Sequence, residues 1–221
     1  THEIAHYIEH ILMPMADIFV DLHSGGGSLD YVPYVHCSLI GEPEQDRRAV
    51  ALLRAFGGPY GQIWQTEKAE ATTGGTRTAG GAAKRQGCIE LGGEFGGGAV
   101  VNPAHLHLVE RGVRNLLAEA GVLHNVAVED TGPMRVMGGD AIELFAFAPD
   151  YGVFVPAAEL GDEITAGDLA GAIHNLQHPE REPLAVHFRA SGLLICVRAI
   201  GRVEPGDCLG HLAIDIEDPT I

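Results

Sequence analysis

Basic residues are scarce in this chain: 14 Lys and Arg stand against 30 Asp and Glu in 221 residues, a formal charge of −16 at pH 7. That deficit argues against nucleic acid and anionic membranes as partners, since both need a positive footprint. The acids are spread along the chain, so they read as an acidic surface rather than a tail. No apolar run approaches the roughly 20 residues that span a bilayer. No basic n-region precedes an apolar run, as a signal peptide requires. The four cysteines (Cys37, Cys88, Cys196 and Cys208) form no C-x-x-C pair, which favours reduced thiols in a cytoplasmic protein over a disulfide framework. Lysine is absent from residues 126–221. The chain opens on Thr rather than Met and enters a helix at once, so it is expected to be a fragment of a longer protein. With 46% hydrophobic residues it can bury a core and hold one large domain or two small ones.

The stretch Ala16–Gly27 organises what is present. Ala16 to Val20 is a short apolar run that reads as a buried strand. Asp21 and His23 are one residue apart, so on a strand they share a face. Gly25, Gly26 and Gly27 follow, where the backbone turns sharply or something approaches closely. In an open α/β sheet, ligands bind where a strand ends in such a loop. His23 beside a carboxylate reads either as a metal ligand or as a hydrogen-bonded histidine in a turn.

Two motifs decide between these. Asp21-Leu22-His23-Ser24-Gly25-Gly26 resembles the third-ligand motif of the succinylglutamate desuccinylase/aspartoacylase family of zinc hydrolases, relatives of the zinc carboxypeptidases. Ile89-Glu90-Leu91-Gly92-Gly93 resembles the same family's catalytic-glutamate motif. The resemblance continues through the helix after Asn102 into the C-terminal β segment. It implies an α/β, zinc-carboxypeptidase-like sheet with helices, followed by a smaller, mainly-β, barrel-sandwich-like domain. The expected division is residues 1–125 for the C-terminal part of the hydrolase domain and 126–221 for the β domain.

Taken in order, Ile4, Tyr7, Ile8, Ile11 and Leu12 recur at helical spacing over residues 2–13, and Pro14 stops the helix. The other face carries His2, His6 and His10. His6-x-x-Glu9 has the bare spacing of a family zinc motif but sits on a helix rather than in a glycine-rich loop, so it is rejected as the site, as is His107-x-x-Glu110. Ile18–Leu22 is a strand. Tyr31–Leu39, with Pro33 inside, reads as an extended segment or edge strand. A helix is expected over about residues 43–56, ended by Gly57 and Gly58, and a strand over 60–65. Thr72–Gly87 is expected to be a weak helix or mobile loop. Its Arg77, Lys84 and Arg85 form the one basic cluster near the site, suited to a substrate carboxylate or simply solvated.

Cys88–Leu91 reads as a short strand delivering Glu90 to a second glycine loop, Gly92–Gly98. A carboxylate among Cys, Ile and Leu is costly to bury unless it is paired or works on a proton. Asn102-Pro103 starts a helix that Gly121 closes. Beyond Asn125, short β runs alternate with turns. Ile164–Asp168 and Val203–Asp207 share the pattern apolar-x-x-Gly-Asp, which resembles the two halves of a biotinyl/lipoyl-like barrel-sandwich. A carrier role needs a lysine that this segment lacks, so the module is expected to be structural or to cover the active site.

The resemblance implies that His23 is a zinc ligand and Glu90 the catalytic base, with Asp21 as an outer-shell candidate that orients His23. One Zn2+ per subunit is implied. The family's other two ligands, the His and Glu of a Gly-Gly-x-His-Gly-x-Glu-type loop, and its Asn-Arg substrate-binding pair have no match, so they are expected outside this chain. The 221 residues alone are then expected to be inactive. The implied substrate is a small-molecule N-acyl amino acid, with no nucleic acid or membrane partner and a homo-oligomer left open. The bacterial branch containing N-acetyl-diaminobutyrate deacetylase is the nearest in texture. A zinc carboxypeptidase acting on peptides and a non-catalytic β-sandwich binding module remain the alternatives.

Overall fold

The computed structural model describes residues 2–65, 78–139 and 141–217. The chain starts as one helical path of changing pitch: α1 (His2–Tyr7), a π turn (Ile8–Leu12) and a 3-10 turn (Met13–Met15). Pro14 lies in the last of these, where its missing N–H ends the regular ladder. The apolar stripe of Ile4, Tyr7, Ile11 and Leu12 is exposed, and only Met13 of this path is buried.

Strands β1 (Ile18–His23), β2 (Leu29–Tyr31) and β3 (Tyr34–Leu39) follow, then helix α2 (Pro43–Phe56) and β4 (Tyr60–Gln65). Next come α3 (Ala79–Arg85), β5 (Ile89–Glu94) and α4 (Pro103–Glu119). The remainder is mainly β. It holds β6 (Arg135–Gly138), a 3-10 turn (Ile142–Leu144), β7 (Phe145–Phe147), β8 (Gly152–Pro156) and β9 (Glu163–Ile164). Then follow β10 (Leu169–His174), β11 (Leu184–His187), β12 (Gly192–Arg198), β13 (Arg202–Val203) and β14 (Cys208–Asp215). Among the described residues no helix is long and apolar enough to cross a membrane.

One sheet runs in the order β1-β5-β3-β4-β6-β14-β12-β2, with β7 beside β14 and β9 beside β12; a second runs β11-β10-β8-β13. Strand β1 is parallel to β5, and β3 is parallel to β4, which is parallel to β6; β5 and β3 are antiparallel. Two expectations are corrected here. Tyr34–Leu39 is a wholly buried central strand paired on both sides, not an edge; Pro33 falls in the break before it, so it takes no N–H from the ladder. Strand β5 runs on through Gly92 and Gly93 to Glu94 instead of breaking into a loop, because both of its neighbours keep pairing with it.

Successive residues of a strand face opposite sides. On one side Val20, Leu91, Val35, Cys37, Leu39 and Ile63 join Ala49, Leu52, Leu53 and Phe56 of α2 and Leu116 of α4 in one core. Each large apolar side chain buried there contributes about 1.5–3 kcal/mol. Gly112 of α4 lets the helices meet, since a Cβ there would lie 2.3 Å from the Phe56 ring. Pro43 at the first turn and Gly57 at the end bound α2, while the Asn102 side chain accepts from Ala104 N–H at 2.9 Å to cap α4. The apolar-x-x-Gly-Asp pair folds alike: Asp168 accepts from Thr165 N–H at 2.8 Å and Asp207 from Glu204 N–H at 2.9 Å.

Candidate active site

The opposite side of the same sheet carries the polar residues. Phe19 pairs with Glu90, Asp21 with Gly92 and His23 with Glu94; His36 lies across from both Gly92 and Gln62, and Ser38 across from Trp64. The motif strands are therefore neighbours. The expectation for Glu90 is corrected here: it sits four residues behind His23 in register, about 13 Å along the strand and out of reach of water bound at His23, and Glu94 takes the place across from His23.

His23 Nε2 is 2.9 Å from Asp21 Oδ1. A ring N–H given to that carboxylate leaves the Nδ1 lone pair for a metal, the usual arrangement of a ligating imidazole and its carboxylate. Among the described residues no three His, Cys, Asp or Glu side chains converge to hold an ion. These residues thus offer a metal one imidazole with its orienting carboxylate, which fits one corner of a zinc site.

Glu90 is 5% exposed and tied down. Ser38 Oγ lies 2.8 Å from Glu90 Oε2, and Lys84 Nζ of α3 lies 3.3 Å from Ser38 Oγ. An ammonium has only hydrogens to give, so Ser38 accepts from Lys84 and must donate to Glu90. On the other flank, His36 Nδ1 is 3.8 Å from Glu90 Oε1, and the His36 ring stacks on Trp64 at 3.9 Å and 16°. Trp64 donates to Gln62 Oε1 at 2.8 Å. Burial lowers the His36 pKa; Glu90 and Asp21 pull it up, while His23 and Lys84 push it down. Gly92 makes room for this ring, because a Cβ there would lie 2.3 Å from His36 Nε2.

Glu94, opposite His23, keeps its Oε2 buried without a hydrogen bond among the described residues. Burial raises its pKa to about 7, with Asp21 adding to the rise and His23 opposing it. Sequence reasoning missed Glu94 by assigning it to a loop. It also missed His36 and Ser38, although polar residues two apart in Tyr34–Leu39 signal a shared face.

Arg77 lies outside the described residues. Arg85 is bonded to Glu9 at 2.9 Å, leaving Lys84 as the member of that cluster that reaches the Glu90 network. His2, His6 and His10 lie exposed on the N-terminal helical path, with the His6 and His10 rings 4.5 Å apart. His107 pairs with Glu110 at 3.5 Å on exposed helix surface.

Residues 1–120 match the model of the succinylglutamate desuccinylase/aspartoacylase catalytic domain. The chain is 29% identical over 217 residues to N-alpha-acetyl-L-2,4-diaminobutyric acid deacetylase of Halomonas elongata, covering 98% of this chain and 62% of that protein. Among solved structures it resembles a succinylglutamate desuccinylase/aspartoacylase from Rhodobacter sphaeroides, with a TM-score of 0.86, 28% identity and coverage of 98% of this chain and 64% of that one. It also resembles the product-bound ectoine utilization protein EutE (DoeB) from Ruegeria pomeroyi, with a TM-score of 0.85, 27% identity and coverage of 96% and 62%. This chain therefore spans less than two thirds of the length of these relatives. A mixed α/β sheet with both motif strands side by side, together with a model match over more than half its length, places the chain in the succinylglutamate desuccinylase/aspartoacylase family.

Proposed function

We propose that this chain forms part of a zinc-dependent amide hydrolase that removes the acyl group from an N-acylated amino acid. His23 Nδ1 holds the metal and Asp21 fixes the His23 ring. The remaining ligands come from polypeptide outside these 221 residues. A bound zinc supplies Lewis-acid chemistry at this position. Glu90, expected as the base, lies too far along β5 to reach water at this position; Glu94, directly across from His23 in register and with its pKa raised to about 7, takes the proton from the attacking water as the water oxygen bonds to the acyl carbon. It returns a proton to the nitrogen as the C–N bond breaks, so the products are a carboxylic acid and a free amine.

What supports this reading is the pairing of β1 with β5, which sets Glu94, its pKa raised to about 7, directly across from His23. Residues 1–125 supply the chemistry, on a zinc-carboxypeptidase-like sheet. Residues 126–221 act as a barrel-sandwich-like cover, supported by the matched turns and by the cluster joining Tyr34 to Met137, Leu193 and Ile195. The Halomonas relative points to an N-acetylated diamino acid as substrate. The test is acetate release from N-acetyl-L-2,4-diaminobutyrate by the intact protein with zinc, set beside release of the terminal residue from a peptide. Turnover of the acetyl amino acid alone is expected. Turnover of the peptide alone, or of neither with zinc bound, overturns the reading.

A further inference from the structure

We propose that His6 and His10 form a surface site for one divalent transition-metal ion of the class that imidazole prefers, separate from the position at His23. Geometry sets this pair apart from the other surface histidines. Both residues are exposed, their ring centroids are 4.5 Å apart and the ring planes are tilted by 56°. Two imidazole nitrogens on one ion each lie about 2.0–2.1 Å from it, and therefore roughly 3 Å from each other. Rings this close and this tilted reach that arrangement by side-chain rotation, with the backbone left where it is.

The backbone also explains why the rings meet. An α-helix has about 3.6 residues per turn, so a residue four further on overshoots one full turn and its side chain is offset around the axis. His6 lies in α1, but His10 lies in the π turn Ile8–Leu12, which Met13 N–H closes on Ile8 O, five residues back. A π turn holds more residues than an α turn, so the change of pitch brings positions 6 and 10 closer to one line. Single π turns inside helices are frequent at functional sites.

Charge agrees with a cation here. Glu3 is exposed three residues before His6, which puts it on the same face. Arg85, the base that reaches this path, is bonded to Glu9 at 2.9 Å. The chain as a whole carries a formal charge of −16, so an approaching cation meets an attractive field. Among the described residues no third His, Cys, Asp or Glu converges with the pair, and water completes the shell. Two imidazoles with water suit the tetragonal preference of Ni2+ and Cu2+ better than the closed, four-ligand shell of structural Zn2+. A bound ion ties the last turn of α1 to the π turn and stabilises this path against opening.

The test is a titration of Ni2+ alone into the intact, zinc-loaded protein, followed by calorimetry and by nitrogen-15 NMR of labelled histidine. Ni2+ with water in its shell is paramagnetic and broadens the signals of the rings it binds. Saturable binding of one ion per chain is expected, with the His6 and His10 signals lost first and that of His107 kept. His6→Ala and His10→Ala should each abolish the saturable heat, while His2→Ala, which leaves the ring pair intact, should keep it. The three side chains are exposed, so these changes leave the core untouched. Binding that survives in either His6→Ala or His10→Ala, binding lost in His2→Ala, broadening centred on other histidines, or no saturable binding at all overturns the proposal. Deacylase activity enters none of these readings, so failure of the proposed hydrolysis and failure of this site remain distinguishable.

Discussion

The two faces of the β1-β5-β3-β4 sheet are built from alternate residues of the same strands, yet they do opposite work. Leu91 and Glu90 are neighbours on β5; one is sealed between the sheet and the helices, the other is clamped by Ser38 beside His36. Val35 and Cys37 alternate with His36 and Ser38 in the same way. Folding free energy is thus concentrated on the side of α2 and α4, where burial is apolar and needs no partners. The other side buries polar groups that must be paired to be tolerated, and several are not fully paired: His36 Nδ1, Gln62 Nε2 and Glu94 Oε2 lack partners among the described residues. Stability is given up on the face where the proposed chemistry sits.

That contrast predicts how substitutions divide. The largest effect is expected for His23→Ala in the intact protein. Metal content, read by elemental analysis, and deacylase activity should fall together, since the remaining ligands lose their imidazole partner while the fold keeps its core. Retained metal with lost activity would move His23 out of the ligand set. On the other face of the sheet, Leu91→Ala leaves a cavity in a fully buried position and should cost about 2–5 kcal/mol of unfolding free energy, measured as a lower urea midpoint. A cost under about 1 kcal/mol would mean that this face is not the one that holds the fold.

A smaller effect concerns acid. His211 is buried, stacked on Phe145 and bonded through Nε2 to Gly139 O at 2.7 Å; burial lowers its pKa to about 4. Its folded pKa lies below the ordinary value near 6.5, so the unfolded chain takes up the proton first as pH falls. The stability it contributes is present above about 6.5 and is lost on the way down to 4, about 3 kcal/mol in all. Glu94, raised to about 7, works in the other direction over part of that range, so the parent must be compared with His211→Phe rather than read alone. The variant should lose less stability between pH 7 and pH 4.5 than the parent does. Equal losses would place the acid sensitivity elsewhere.

Much of this arrangement was legible in the sequence, and the misses have a common cause. The strand Ile18–Leu22, the helices opened by Pro43 and Pro103 and the two motifs are local signals, carried by apolar runs, prolines and caps that act within a few residues. Glu94 was assigned to a loop because Gly92 and Gly93 look like a turn. They stay in the strand because β1 and β3 hold them from both sides and because His36 needs the space above Gly92. Tyr31–Leu39, with Pro33 inside, reads locally as an extended segment or edge strand, whereas the partners of Tyr34–Leu39, β4 and β5, lie 26 and 55 residues further along the chain, counting from Tyr34 to Tyr60 and from Tyr34 to Ile89. Register across such separations is not written in any one segment, and the contact of Ser38 with Glu90 is a product of register. The apolar stripe of the N-terminal helix was equally visible, but periodicity says only that a face is apolar, not what it meets.

The most direct test of the central claim, that one face of the sheet is the reacting face and Glu94 its acid–base group, is a single assay of Glu94→Gln in the intact protein, with zinc content and kcat for N-acetyl-L-2,4-diaminobutyrate measured on the same sample. Glutamine keeps the shape but cannot take the proton. Zinc should therefore stay at the parent level while kcat falls by roughly 10²–10⁴-fold, the span a positioned acid–base group supplies. Turnover at the parent rate, or loss of zinc with the substitution, would contradict the account.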